Sequence, residues 1–219
     1  MDKKDLITHS PVRYFDVTNA GLKDGEMGLI TAKKGLGKTS ILVQFGIDSL
    51  LNDKALIHVS FDQQSSNVIA WYSSVLAEIA KKKSLNLDDV NEDIVRNRTI
   101  LNFNQETFTL PKVVNTLKAM KDGGIKISTI VVDGLDMNKA SGADIKCFAD
   151  FIKSEKMTAW FSFTNEAADL KATLDDDKLS NFATVAHLAA EGKSITLSIL
   201  KNGEGKVNLD AKTLLMCKA

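Results

Sequence analysis

Apolar residues along this chain alternate between two spacings. Residues 26–32 (EMGLITA) form a short apolar run that ends at a glycine-rich turn, which predicts a strand. From Lys38 to Leu51, the residues Ile41, Leu42, Val43, Phe45, Ile47, Leu50 and Leu51 surround the helical wheel almost completely, as in a helix buried against a sheet. ALIHVSF (55–61) predicts the next strand. Val68, Tyr72, Val75 and Ile79, three to four apart, then predict a helix from about Ser66 to Lys82. The charged stretch KKKSLNLDDVNED (81–93) reads as a surface loop or lid with room for one helical turn.

The same rhythm continues. RTILNF (98–103) is a candidate strand, and Pro111 falls in the first turn of a helix whose Val113, Val114, Leu117 and Met120 share a face. KISTIVVD (126–133) is a continuous apolar strand ending in aspartate. Ser141 is placed to cap a helix carrying Ile145, Phe148, Ala149 and Ile152, and TAWFSF (158–163) is a further strand. Strand–helix alternation of this kind predicts an α/β fold, a mostly parallel sheet with helices on both faces. In 194–200 the pattern switches to strict alternation: Ile195, Leu197 and Ile199 against Ser194, Thr196 and Ser198. With the turn Asn202-Gly203-Glu204-Gly205 and the run TLLMC (213–217), this predicts an antiparallel β-hairpin at 194–217. Residues 1–219 read as a single domain, with 1–25 as its lead-in.

Composition narrows the function. Among 219 residues, 44% are hydrophobic, enough for a sizeable core. Lys plus Arg equals Asp plus Glu at 28 each, so no overall basic field draws the chain to DNA or to anionic membrane. The charged N-terminus MDKKDLITHS lacks the apolar stretch of a signal peptide, and no run approaches the roughly 20 apolar residues of a membrane span, so a cytoplasmic location is expected. Cys147 and Cys217 stand far apart without metal-ligand neighbours and read as reduced thiols.

The turn after the first strand carries the chemistry. The phosphate-loop pattern G-x-x-x-x-G-K-[ST] is met from Lys33 through Lys34, Gly35, Leu36, Gly37 and Lys38 to Thr39, with Ala32 in place of the first glycine and Ser40 next on the helix as a further candidate nucleotide-binding residue. Such a loop turns successive backbone N–H groups inward around a phosphate at a helix N-terminus. Gly35 and Gly37 supply the unusual backbone angles. Lys38 brings a compact charge to the β- and γ-phosphates, and the Thr39 hydroxyl can ligate Mg²⁺. By composition alone, G-x-G-K-[ST] arises in a chain of this length with a probability on the order of one per cent. Asp133, closing the apolar strand Ile130-Val131-Val132, is the candidate second metal carboxylate, with Asp136 a loop or capping residue. Asp62, at the end of the strand after the phosphate-loop helix, would emerge at the same carboxyl edge and is the candidate general base. Thr164 and Asn165 close another strand there and are candidate γ-phosphate sensors.

Taken together, GLKDGEMGLITAKKGLGKTSILVQFGID (21–48), HVSFDQQ, TIVVDGLDM, AWFSFTN and ILKNGEG resemble the RecA/KaiC-type ATPases among the P-loop NTPases. The resemblance implies a RecA-like sheet, with ATP and Mg²⁺ as ligands. It also implies a catalytic carboxylate at Asp62, where the family usually has glutamate, and a late-hairpin lysine, here Lys201, reaching a neighbouring subunit's site. A homo-oligomer, ring or filament, would follow. The family's DNA-handling members use loops after the metal-aspartate strand and after the next strand. Here 165–181 carries Glu166, Asp169, Asp175, Asp176 and Asp177 against Lys171 and Lys178, which repels phosphates and favours a regulatory or assembly ATPase with a protein partner over a DNA enzyme.

Two alternatives remain open at this point. One is the ParA/MinD-like deviant-loop ATPases, in which Lys33 would reach across a dimer and SFDQQSSN (60–67) would be the matching strand end. Lys34 in place of glycine, the lead-in and the hairpin stand against it. The other is a nucleotide-binding scaffold with little hydrolysis, suggested by Ala32 and by aspartate at 62. A GTPase is disfavoured, because Thr164-Asn165-Glu166-Ala167 lacks an Asn-Lys-x-Asp guanine reader.

Overall fold

The computed structural model describes residues 3–61, 63–83, 92, 94–165 and 174–218. Two short helices, α1 (Lys3–Thr8) and α2 (Arg13–Asp16), lead into β1 (Met27–Ala32), α3 (Lys38–Leu51), β2 (Leu56–Ser60) and α4 (Ser65–Lys83). There follow β3 (Arg98–Asn102), α5 (Leu110–Asp122), β4 (Thr129–Asp133), α6 (Gly142–Ser154), β5 (Thr158–Thr164) and α7 (Asp176–Leu179). The chain ends in four strands: β6 (Thr184–Glu191), β7 (Ser194–Lys201), β8 (Lys206–Leu209) and β9 (Met216–Cys217). Among the described residues these strands make one sheet in the order β3-β2-β4-β5-β1-β6-β7-β8-β9. Pairing is parallel from β3 to β6 and antiparallel from β6 to β9.

Period-two alternation sorts the strand side chains into two cores. Ile30, Ala32, Leu56, Val131 and Trp160 join α1 to α4 on one face. Leu29, Ile57, Val59, Ile130, Val132 and Phe161 join α5 and α6 on the other. The lead-in belongs to the first core, since Leu6, Val12, Phe15 and Ala20 are buried there and Arg13 donates to both carboxylate oxygens of Asp48 on α3 at 2.5 and 2.6 Å. Ser141 caps α6 in a reciprocal box with Asp144, as its position predicts.

Two positions in the sheet carry measurable consequences. At Gly28 a Cβ would lie 2.2 Å from the Trp160 ring, which crosses β1 there and stacks on Phe45 at 4.3 Å between centroids. Gly28→Ala should therefore cost about 2 kcal/mol and lower the melting temperature by about 6 °C in circular dichroism melts; an unchanged melting point would show that the indole moves aside freely. His58, fully buried on β2, has its Nδ1 3.1 Å from the Tyr72 hydroxyl, and its Nε2 has no partner among the described residues. Burial pulls its pKa down to about 4. The unfolded chain then binds the extra proton between pH 6.5 and about 4, so stability is full above pH 6.5 and falls by about 3 kcal/mol as pH drops through that window. Urea titrations at pH 7 and pH 4.5 should show this loss in the wild type and a smaller one in His58→Gln; equal losses in both would assign the acid sensitivity elsewhere.

The C-terminal strands refine the expected hairpin. The alternating run 194–201 pairs with β6 across the Gly192-Lys193 turn and with β8 across the Asn202–Gly205 turn. Of 213–217, only Met216 and Cys217 pair, with β8. Strand β6 carries no pattern of its own, because Ala186, Ala189 and Ala190 dilute it. Its strand state comes from neighbours on both sides, parallel to β1 and antiparallel to β7. The predicted loop 81–93 falls largely outside the described residues.

Candidate functional site

The parallel register brings Ala32, Ser60, Asp133 and Thr164 to one carboxyl edge: Ala32 pairs with Thr164, and Ser60 with Asp133. Ligands of open α/β sheets bind at that edge. Here it holds a cleft of about 480 Å³ bordered by Lys34, Gly35 and residues 37–40. Ala32 ends β1 in ordinary extended pairing, with Thr164 on one side and Leu188 on the other, so the first glycine of the pattern is not needed there. The turn then uses Gly35 at φ +77° and Gly37 at φ +110°, where a side chain would be strained. A Cβ at Gly35 would meet nothing within 4 Å, whereas one at Gly37 would meet Leu214 Cδ1 at 2.9 Å.

From this turn α3 begins at Lys38. The Lys38 ammonium folds back onto the loop, donating to the carbonyls of Ala32 at 3.2 Å and Lys33 at 3.0 Å. The Thr39 hydroxyl donates to Asp133 Oδ2 at 2.7 Å across 94 residues of sequence. Asp133, 5% exposed, also accepts from the Ser162 hydroxyl at 2.6 Å through Oδ1, and Ser162 in turn accepts from the Gly134 N–H at 3.0 Å. The carboxylate is thus held from both sides at the mouth of the loop.

Other predicted residues fall at differing distances from this centre. Lys33 and Lys34 are exposed at the loop, and Lys34 borders the cleft. Leu36 is half-buried against the α1–α4 core, and Ser40 is buried at the cleft floor, its hydroxyl 3.5 Å from Gln44 Nε2. Thr164 borders the cleft. Asn165 is buried, and its N–H donates to the Ala32 carbonyl at 2.9 Å, so it braces the β1 end. Asp136 borders the cleft as a loop residue, its Oδ1 accepting from the Asn138 N–H at 3.0 Å. Asp62 lies outside the described residues, as do residues 166–173 of the acidic region 165–181, whereas Asp175, Asp176 and Asp177 of that region are described at the start of α7. Lys201 is not brought to this site. It pairs with Val185 at the opposite, amino edge of the parallel strands, and its ammonium donates to the carbonyls of Leu179 at 3.2 Å and Phe182 at 2.5 Å. Any reach into a nucleotide cleft would have to be into that of another copy.

Sequence reasoning missed several cleft residues. Ser162 was visible in principle as a polar residue in an otherwise apolar strand. Gln105 ties the loop after β4 to the loop after β3, donating to the Gly134 carbonyl at 2.9 Å and accepting from the Asp136 N–H at 2.7 Å. Leu214 reaches the turn at Gly37 because buried Gln44 of α3 clamps the C-terminal segment, donating to the Leu214 carbonyl at 2.9 Å and accepting from the Met216 N–H at 2.8 Å. Gln63 and Trp71 border the cleft as well.

Among the described residues, no three His, Cys, Asp or Glu side chains converge as a metal cage, and no helix is long and apolar enough to cross a membrane. A Mg²⁺ held with phosphates needs no such cage, because it keeps waters and takes one or two protein oxygens. Thr39 and Asp133 fit that requirement. No protein-family model matches the chain, and no curated protein matches it.

Proposed function

We propose that this chain is a RecA/KaiC-like P-loop domain that binds ATP with Mg²⁺ and hydrolyses it, acting as a regulatory or assembly ATPase. The observation that carries the reading is the Thr39–Asp133 contact at the foot of a glycine turn that opens a buried helix. Hydroxyl and carboxylate, remote in sequence, meet where a phosphate-bound cation would need both. The N-terminal N–H groups of α3 and the loop amides at 34–38 would cradle the β-phosphate. Lys38 would exchange its two carbonyl partners for phosphate oxygens, a move from neutral to anionic acceptors that strengthens each bond. Thr39 and Asp133 would hold the cation, which when bound neutralises charge on the β- and γ-phosphate oxygens. Asp62 serves as the base for water, and Thr164 with Asn165 relays the γ-phosphate state towards 166–173. The balanced net charge favours a protein partner over DNA, and nucleotide-dependent self-association is the expected form of assembly.

The exposed side chain of Lys33 supports the ParA/MinD-like reading to the extent that a lysine acting across a dimer must be free of its own loop. The extension β6–β9 and the buried lead-in fit the RecA-like reading better. The deciding experiment is Mg-ATP binding and phosphate release by the wild type, with light scattering in the same buffers. Binding with turnover supports the ATPase. Binding without turnover leaves a nucleotide-sensing scaffold, and no binding overturns the reading altogether.

A further inference from the structure

We propose that Gln63 orients the attacking water in ATP hydrolysis, an inference that rests on the ATPase reading above. Two properties distinguish Gln63 from the other carboxamide and the carboxylates that line the cleft: its backbone is fixed and its side chain is uncommitted.

The backbone leaves β2 at Ser60, whose hydroxyl both accepts from the Gln63 N–H at 3.1 Å and donates to the Gln63 carbonyl at 3.0 Å. Asn102 of the neighbouring strand β3 donates its side-chain amide to the same carbonyl. Three bonds therefore fix where the side chain starts, in the turn just past β2, whose last residue Ser60 is in register with Asp133. The carboxamide itself makes no hydrogen bond to the described residues, although it borders the cleft together with Lys38, Thr39 and Asp133.

The other carboxamide and the carboxylates of the lining are engaged. Gln105 uses both ends of its amide on the loop at 134–136, Asp133 is taken by Thr39 and Ser162, and Asp136 by Asn138. The position also suits the task. Strand order at this edge runs β1, β5, β4, β2, so beyond the proposed metal carboxylate of β4 the next strand end is that of β2, with Gln63 in the turn that follows it. A triphosphate cradled after β1 and coordinated at β4 presents its terminal phosphate towards that end.

A carboxamide suits water in this place because it offers an acceptor and a donor on one rigid plane. The oxygen takes a hydrogen bond from the water, and the NH₂ group donates to a γ-phosphate oxygen, which aims the water lone pair at phosphorus. The water oxygen forms the new bond to phosphorus. The bond from phosphorus to the bridging oxygen breaks, with its electron pair leaving on ADP. The water proton goes to the Asp62 carboxylate, and the amide takes none. Positioning of this kind is the main protein contribution to phosphoryl transfer, so losing it should slow chemistry without weakening binding.

The test uses the full chain with Gln63→Ala, Gln63→Glu and, as a control, Gln64→Ala, whose exposed side chain lies outside the cleft lining. Three quantities are measured: affinity for a fluorescent ATP analogue, the single-turnover rate, and retention of ADP with aluminium fluoride, a mimic of the transferring phosphoryl group. The proposal expects Gln63→Ala to bind the ATP analogue within about twofold of wild type, to turn over on the order of a hundredfold more slowly, and to lose the aluminium fluoride complex while still binding ADP. Gln63→Glu should recover part of the rate through its remaining acceptor, and Gln64→Ala should match wild type. Turnover within about threefold of wild type in Gln63→Ala overturns the role of Gln63 and leaves the ATPase standing. Wild-type binding without turnover also overturns it while leaving nucleotide binding intact, and absence of wild-type binding removes both. Weakened ATP binding with a lowered melting point in both Gln63 variants would mark Gln63 as structural and overturn the proposal.

Discussion

Lys38→Ala is expected to weaken Mg-ATP binding by about a hundredfold or more and to bring phosphate release to background. The ammonium would make two or three charge-assisted bonds to phosphate oxygens, each worth about 1.5–3 kcal/mol, and no other described side chain of the loop starts from the first position of α3. A loss of about 3 kcal/mol corresponds to slightly more than two decades in dissociation constant. Folding should be little affected. The ammonium is half-exposed and donates to two loop carbonyls, and α3 is held by its buried apolar residues rather than by its first side chain. Equilibrium binding of a fluorescent ATP analogue, with melting curves alongside, would check this. Asp136→Ala provides the comparison, since Asp136 borders the same cleft but spends its carboxylate on a local turn, and it should change affinity by less than about threefold. Equal losses from the two substitutions would remove the distinction of roles on which the proposed function rests.

How far this site was legible in the sequence depends on the range of the forces that build it. The helix from Lys38 to Leu51 has the bounds its pattern predicts, because a helix apolar nearly all round has no other stable environment than the underside of a sheet. Strand ends at Ala32 and Asp133 were also readable, and that at Ser60 to within one residue, since each apolar run stops at polar or turn-forming residues. Parallel pairing then places all three at one edge without further information. The strand Thr184–Glu191 was not readable: three alanines give no alternation, and only β1 and β7 on either side make it a strand. Side chains that act across the fold were hidden for a related reason. The bonds from Gln44 to the segment at 214–216 span about 170 residues, and Gln105 reaches the loop at 134–136 from a different crossover. Lys201 shows the converse. Its place in a hairpin was legible, but the antiparallel direction of β7, which carries it to the edge away from the glycine turn at 35–37, depended on the unpredicted strand β6.

Asp133→Asn should raise the Mg²⁺ concentration needed for half-maximal hydrolysis by about 10- to 100-fold while leaving metal-free ADP binding unchanged. The carboxylate accepts from Thr39 through one oxygen and from Ser162 through the other, so it fixes the hydroxyl that would ligate the cation as well as supplying charge beside it. Asparagine keeps the shape but offers one acceptor. Its NH₂ group must face either the Thr39 or the Ser162 hydroxyl, and whichever it faces must rotate away to accept. Loss of a carboxylate that orients a metal ligand, or holds metal-bound water, carries a penalty of that size in other metal sites. A Mg²⁺ titration of single-turnover hydrolysis, paired with ADP binding in excess chelator, separates the metal effect from simple unfolding. A proportional drop in both would mean that Asp133 serves only to hold Gly134 and Ser162 in place. An unshifted Mg²⁺ midpoint would remove Asp133 from the metal site and leave Thr39 without the partner that makes the loop a nucleotide cradle.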